Sequence, residues 1–133
     1  MLAPVSLLTT IKNECETTYY FFSKETGMLL SLEVDINQVT VLNDQLLIDK
    51  VLAAYNLHVY CIEIYEYLDG TYYFYLGVKN DSEVREINIS QTEFFKILQT
   101  YNPLIYIETH VLSKCGMYLT KELLLNSLEN VNT

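Results

Sequence analysis

Apolar runs rich in β-branched and aromatic residues are separated by short polar segments along the chain, a pattern typical of β-strands joined by turns. Two of these runs, "TTYYFF" (17–22) and "MLLSLEV" (28–34), enclose the polar segment "SKETG" and predict a β-hairpin. A second hairpin is predicted around Asp69-Gly70, because Asp-Gly between two β-prone runs is a strong signal for a two-residue turn. The strands expected from the middle of the chain onward are "HVYCIEIYEYL" (58–68), "TYYFYLGVK" (71–79), "VREINI" (84–89) and "LIYIE" (104–108).

A helix is predicted from Ser90 to about Tyr101. Ser90 and Glu93, three residues later, form a capping box, and apolar side chains at helical spacing follow them. Asn102-Pro103 ends this helix, because proline disfavours helical backbone in the residue before it.

Two further helices flank this central region. One has Asp44 as its N-cap and ends near Asn56, a residue type that tolerates left-handed backbone. The other follows the cap Thr120 and makes residues 118–133 a C-terminal helical extension. The predicted fold is a single α+β domain over residues 1–133, with a mixed, largely antiparallel sheet of about five to six strands, two main helices and a C-terminal helix.

The predicted Asp-Gly turn fixes which residues of the second hairpin face each other. Tyr67 then lies opposite Tyr72. Tyr65 likewise lies opposite Phe74, and the alternation of side chains puts all four on one face. The other face is apolar as well, so helices cover one face and a second layer or another copy of the protein covers the other. We therefore predict an interface formed by these four residues, with a homo-oligomer or a protein partner bound to it.

Stacking of these rings on nucleic-acid bases is the alternative, and it requires a basic groove beside them. The chain has 17 acidic and 8 basic residues and a formal net charge of −9. Near the hairpin the basic residues are Lys79 and Arg85. Because lysine and arginine supply most of the affinity for phosphates, the charge disfavours nucleic acid as a partner, and packing is the favoured interpretation.

Other features of the sequence bear on where the protein acts. No run of about 18 apolar residues is present, so no membrane span is expected. The first residues, "MLAPVSLLTTIKNECE", lack the basic segment of a signal peptide. Cys15, Cys61 and Cys115 are odd in number and far apart, which fits neither a disulfide framework nor a CxxC zinc site. We expect a cytoplasmic protein with reduced thiols.

Several features together carry a family resemblance. They are the helix before the second hairpin, the segment Asp69-Gly70-Thr71-Tyr72-Tyr73, the strand leading into a helix at Ser90, and the apolar strand 104–107. The span from about Leu47 to Gly116 thereby resembles the bifunctional nuclease domain, formerly a domain of unknown function. The match runs through "VLAAYNLHVYCIEIYEYLDGTYYFYLGV" and resumes in "EINISQTEFFKILQTYNPLIYIETHVLSK". The resemblance implies an activity on RNA and DNA.

The polar signature of that family is largely replaced in this chain. Where the family reads Asp-x-Arg-Pro-Ser-Asp-Ala, residues 88–94 read "NISQTEF", and Thr92 and Glu93 alone keep the chemical character. The family's Thr-His-Asp corresponds to residues 44–46, "DQL", which contain no histidine. These replacements favour a relative that has kept the fold without the activity.

Carboxylates are the candidate site residues, because phosphodiester hydrolysis commonly uses them to hold metal ions that activate water. Within the resemblance, Asp35, Asp44 and Glu93 are the candidate ligands of Mg or Mn, and Glu93 and Asp44 are the candidate catalytic residues. The alternative is that Asp44 and Glu93 satisfy backbone N–H groups at helix starts, which capping alone explains.

Three functions therefore remain open. The first is a bifunctional-nuclease-like domain that acts as a non-catalytic protein-interaction or assembly module. The second is a metal-dependent nuclease acting on RNA or DNA, and the third is small-ligand binding in a pocket between helix and sheet. The negative charge, the replaced signature residues and the two apolar sheet faces favour the first.

Overall fold

The computed structural model describes residues 1–35 and 47–118, which form one mixed sheet with three helices packed against it. The strands are β1 (Leu2–Lys12), β2 (Glu16–Ser23), β3 (Met28–Asp35), β4 (His58–Leu68), β5 (Thr71–Lys79), β6 (Val84–Ile89), β7 (Leu104–Glu108) and β8 (Met117–Tyr118). The helices are α1 (Leu47–Tyr55), α2 (Gln91–Tyr101) and α3 (Thr109–Cys115).

The strand order is β6-β5-β4-β7-β1-β2-β3-β8. β4 and β7 run parallel, and the other neighbouring strands run antiparallel. This arrangement confirms the predicted α+β class and the mixed, largely antiparallel sheet. Residues 1–35 and 47–118 contain eight strands, so the expectation of about five to six strands was too low.

β1 is the long strand that the sequence pattern did not predict. Pro4 interrupts its pattern, because proline lacks the N–H that a strand donates to a neighbour. The structure accommodates this residue where β1 pairs with β7 alone, since pairing with β2 begins at Ser6. Every side chain from Ser6 to Lys12 is exposed, so this half of β1 shows no buried alternation.

Two predicted features lie wholly or mostly outside the described residues. One is the N-cap Asp44, and the other is the C-terminal helical extension over residues 118–133. Of that extension the structure describes Tyr118, which pairs with Met28 in β8 and is therefore part of the sheet.

Backbone conformations at turns and caps agree with the predicted boundaries. Asp69 and Gly70 have φ values of 50° and 82°, and a type I′ hairpin turn requires positive φ at both positions. Gly27, with φ of 71°, closes the first hairpin. Asn56 and Asn102, with φ of 53° and 46°, follow α1 and α2 in the left-handed conformation that commonly ends helices.

The three helices and one face of the sheet share a single apolar core. Phe94 of α2 is central to it: its ring centroid lies 4.4 Å from that of Phe74 on β5 and 6.2 Å from that of Phe21 on β2. α2 therefore joins the two halves of the sheet. Buried residues from the helices are Leu52 of α1, Phe94, Phe95, Ile97 and Leu98 of α2, and Val111 and Leu112 of α3.

The pairing of β4 with β5 differs from the predicted register. Tyr67 pairs with Tyr72 as predicted, but a β-bulge at Tyr65 shifts the register by one residue, and Phe74 pairs with Ile64. The predicted pairing of Tyr65 with Phe74 was therefore wrong. A bulge adds one residue to one strand, and a one-residue shift moves the following side chains to the opposite face.

The shifted register continues along β4 to Cys61, which pairs with Gly77. A second register shift follows between Val59 and Cys61. Gly77 permits the close approach of the two strands here, because a Cβ on residue 77 would lie 2.6 Å from the Cys61 sulfur.

The Cys61–Gly77 pair provides a test of the register. Gly77→Ala should lower the free energy of unfolding in urea by about 1–3 kcal/mol, because the added methyl group meets the Cys61 sulfur. Cys61→Ala removes the sulfur, so the double variant should recover part of the loss, with a coupling energy of about 1 kcal/mol. Combining Gly77→Ala with Cys15→Ala, at an exposed cysteine, should give no recovery. Strictly additive effects of Gly77→Ala and Cys61→Ala would contradict this pairing.

Candidate functional site

The face of β4–β7 that points away from the helices carries tyrosines and carboxylates. The helix residues of the core all belong to the opposite face, so no described helix packs on this one. Tyr73 is 41% exposed and Tyr60 is 37% exposed. We call this surface the tyrosine face and define it by Tyr60, Glu63, Tyr65, Tyr73, Tyr75, Glu86, Asn88 and Tyr106.

The bulged residue Tyr65 organises one end of the tyrosine face. Its ring is stacked on Tyr75, with centroids 3.9 Å apart and planes inclined by 16°. The ring centroid of Tyr73 lies 6.2 Å from that of Tyr65. The Tyr65 hydroxyl donates a hydrogen bond of 3.0 Å to Asn88 Oδ1 on β6. These contacts hold the rings in fixed positions beside one another.

Glu63 lies at the centre of the tyrosine face, between Tyr75 on β5 and Tyr106 on β7. Its side chain is 8% exposed although it carries a carboxyl group. The Cys61 thiol donates to Glu63 Oε1 over 3.9 Å, and sulfur is a weak donor. Burial raises the pKa of Glu63, and the negative charges of Glu86 and Glu108 raise it further. The surroundings therefore oppose ionisation of this carboxyl group.

Cys61 responds to the same surroundings. Burial, followed by the charges of Glu63 and Glu86, raises the pKa of the Cys61 thiol to about 11. At neutral pH the group is a protonated thiol, which is a poor nucleophile and a poor metal ligand. Cys61 therefore serves as a small buried hydrogen-bond donor to Glu63.

Two other carboxylates near the tyrosine face have basic partners. Glu66 Oε1 lies 3.3 Å from His110 Nε2 and accepts a hydrogen bond of 2.9 Å from the Tyr67 N–H, which lowers the pKa of Glu66. Glu108 pairs with the amino group of Met1 at 2.8 Å. Over residues 1–35 and 47–118, by contrast, no lysine, arginine or histidine forms an ion pair with Glu63.

The tyrosine rings already receive one cation from the chain itself. Lys79 Nζ lies 4.3 Å from the centroid of the Tyr60 ring, within the range of a cation–π interaction. Tyr60 is in turn close to Tyr106: burial raises the pKa of Tyr106, and the neighbouring Tyr60, Cys61 and Glu63 raise it further. Tyr106 thus neighbours Tyr60, Cys61 and Glu63 on this face.

The predicted catalytic residue Glu93 is used in the cap of α2. Glu93 Oε1 accepts hydrogen bonds from the Ser90 N–H at 3.1 Å and from the Ser90 hydroxyl at 2.9 Å, and the Glu93 N–H donates to Ser90 Oγ at 3.1 Å. Asp35 is an exposed residue at the end of β3, and Asp44 lies outside the described residues. Within the part of the chain that the structure describes, no three His, Cys, Asp or Glu side chains are grouped so that they could hold a metal ion.

The four residues of the predicted interface are divided between the two faces. Phe74 is 2% exposed and lies in the core beneath the helices. Tyr67 and Tyr72 also pack against the core, with ring centroids 4.7 Å apart. Tyr65 is the member that lies on the tyrosine face. Sequence reasoning did not identify the remaining residues of this face as a site.

A separate groove of about 390 Å³ lies where α1 meets β4. Its lining is mainly apolar and includes the polar residues Asn56 and His58. This is the place that the small-ligand hypothesis requires, between a helix and the sheet. The groove lacks a convergent set of charged groups among its lining residues, so it offers little to orient a polar ligand.

No family model matches the chain, and no curated protein matches it significantly. The described helices also include none with an apolar stretch of membrane-spanning length.

The buried carboxyl group predicts an unusual effect of pH on stability. Because the pKa of Glu63 is raised in the folded protein, the folded state is favoured while Glu63 is protonated, and this contribution is lost as the pH rises through the raised pKa. Glu63→Gln cannot ionise, so it should unfold at higher urea concentration than the native sequence at pH 7. The difference should shrink toward the ordinary glutamate pKa of about 4.3. Glu25→Gln, in an exposed turn, is the charge-matched control. If Glu63→Gln is less stable than the native sequence at pH 7, the raised pKa of Glu63 is contradicted.

The role of Glu93 can be tested by comparing two substitutions. Glutamine also serves at the third position of a capping box, so Glu93→Gln should leave the free energy of unfolding nearly unchanged. Glu93→Ala removes the acceptor and should cost about 0.5–1 kcal/mol, measured by urea denaturation. If glutamine is as damaging as alanine, the negative charge itself matters, and the role of Glu93 is more than that of a cap.

Proposed function

We propose that this protein is a non-catalytic protein-interaction module that binds a partner through its tyrosine face. The observation that carries this proposal is the set of half-exposed tyrosines on a sheet face that no described helix covers. Tyrosine is enriched at protein interfaces, because it combines a large apolar ring with a polar tip.

The side chains of the tyrosine face are held in place by contacts with one another, and this conformational order favours binding. Rings that are stacked and hydrogen-bonded before a partner arrives lose little conformational freedom on association, and the entropic cost of forming the complex is correspondingly small. The Tyr65–Tyr75 stack and the hydrogen bond from Tyr65 to Asn88 fix three of these side chains.

The resemblance to the bifunctional nuclease domain is part of the proposal as the source of the fold. A metal-dependent nuclease using Mg or Mn is the activity that the resemblance implies, but the described carboxylates do not favour it. Glu93 is engaged by Ser90, and the family's Asp and Arg-Pro positions are Asn88 and Ser90-Gln91 in this chain. We extend the proposal to a cytoplasmic protein, which the unpaired Cys15, Cys61 and Cys115 support.

Peptide selection tests the proposed function. Random peptides displayed on phage are selected against the purified protein, and affinities of the selected peptides are measured by fluorescence anisotropy. The double variant Tyr60→Ser/Tyr73→Ser should weaken binding by at least about tenfold, because both rings are exposed enough to contact a partner. Tyr55→Ser, at a 70% exposed tyrosine on α1, should leave the affinities unchanged.

Two outcomes would overturn the proposed function. One is that the selected peptides bind both variants and the native protein equally well. The other is Mg- or Mn-dependent cleavage of single-stranded RNA or DNA that Glu93→Gln abolishes, which would establish the nuclease instead.

A further inference from the structure

We propose that the tyrosine face recognises a basic segment of a partner protein and seats one lysine or arginine side chain at Glu63, between Tyr75 and Tyr106. This inference rests on the proposed function and names the chemistry of the partner. Two features of the face carry it, namely a buried carboxyl group without a cation and aromatic rings placed around it.

Glu63 is a nearly buried acidic group that forms no ion pair with a described residue. Burial of a carboxylate is costly unless a cation and hydrogen bonds compensate it. The compensation from the described residues is one weak hydrogen bond from the Cys61 thiol, and the charges of Glu86 and Glu108, which raise the pKa of Glu63, have the same sign as its carboxylate. A cationic side chain placed at this point supplies both the missing charge and the missing hydrogen-bond donors.

The tyrosine rings around Glu63 also favour binding of a cation. Tyrosine faces attract ammonium and guanidinium groups, and the attraction grows when the site is shielded from water. The contact of Lys79 with Tyr60 at 4.3 Å shows that a ring of this face accepts a cation in the protein itself. Tyr106, which neighbours both Tyr60 and Glu63, extends that arrangement toward the carboxyl group.

Charge also decides among the occupants of this face. A second copy bound face to face would bring Glu63 and Glu86 near the same groups of its partner, and like charges in a shielded interface repel strongly. The chain carries a net charge of −9, and Arg85, its single arginine, is paired with Glu83 at 2.8 Å. Nucleic acids and anionic lipids have the wrong sign as well. A basic protein segment is the occupant with complementary charge.

Synthetic peptides provide the test with the intact protein. The probes are peptides of about ten residues that alternate threonine with arginine, lysine, citrulline or glutamate, so that one face of an extended peptide carries the varied residue. The arginine and lysine peptides should bind, and the neutral citrulline and acidic glutamate peptides should not. Raising NaCl from about 50 to about 500 mM should weaken binding several-fold, because salt screens the attraction.

Glu63→Gln is the deciding variant, since it keeps the shape of the side chain and removes its charge. It should weaken binding of the arginine and lysine peptides by at least about tenfold. Glu25→Gln changes the net charge equally at an exposed turn and should leave the affinity unchanged. Backbone amide shifts of residues 63, 75 and 106 in NMR spectra should change on binding in the native protein.

The outcomes separate this inference from the proposed function. Equal affinities of native protein and Glu63→Gln for the cationic peptides would overturn the inference. Phage-selected peptides that need Tyr60 and Tyr73 but carry no basic residues would overturn it too, while the interaction function stands. Light scattering that shows a dimer, dissociated by Tyr60→Ser/Tyr73→Ser, would make a second copy the occupant. Absence of any peptide binding that depends on the tyrosine face would remove the proposed function itself.

Discussion

The β-bulge at Tyr65 is the constraint on which the arrangement of the sheet depends. Along β4, isoleucine and glutamate alternate, and the hairpin turn alone would place Glu63 on the same face as Phe74. A carboxylate in that position would face the helices and lose its hydration with nothing to replace it. The extra residue at the bulge exchanges the two faces, so that Ile62 and Ile64 enter the core and Glu63 and Tyr65 leave it. The local irregularity thus resolves a conflict between turn geometry and hydrophobic burial.

Glu63 remains shielded from water although it lies on the tyrosine face. The neighbouring strands place Tyr75 and Tyr106 beside it, and its side chain remains 8% exposed. A carboxyl group held in this way destabilises the isolated domain when it ionises, and natural sequences commonly accept such a cost at sites that bind something. The same burial that opposes ionisation would strengthen the attraction to a cation that reaches the group, because water no longer screens it.

Local features of the fold could be predicted from the sequence, and features set by distant contacts could not. The Asp69-Gly70 turn and the Ser90 capping box depend on residues close in sequence, and both occur as predicted. β1 was missed because it contains Pro4 and because the side chains of its second half are exposed, so that its sequence lacks a strand pattern. The strand forms because β7 and β2 pair with it. The bulge at Tyr65 was missed because the pairing of Ile64 with Phe74 follows from packing under α2, although the regular Ile-Glu-Ile spacing in β4 contained the clue. Among the carboxylates, sequence reasoning singled out Glu93, which the structure places in the capping box of α2, and it did not single out Glu63.

The negative charge of the chain has different consequences for the whole molecule and for the tyrosine face. Over the whole molecule it disfavours phosphate-bearing partners, whatever their sequence or shape. On the tyrosine face it acts locally, because Glu66 and Glu108 already have basic partners, and Glu63 forms no ion pair with any of the described residues. Long-range attraction would bring any basic protein toward the domain, but it would not select a position on the surface. The proposed contact at the shielded carboxyl group would supply that selection, since a lysine or arginine there would gain both a charge partner and contact with the two neighbouring rings.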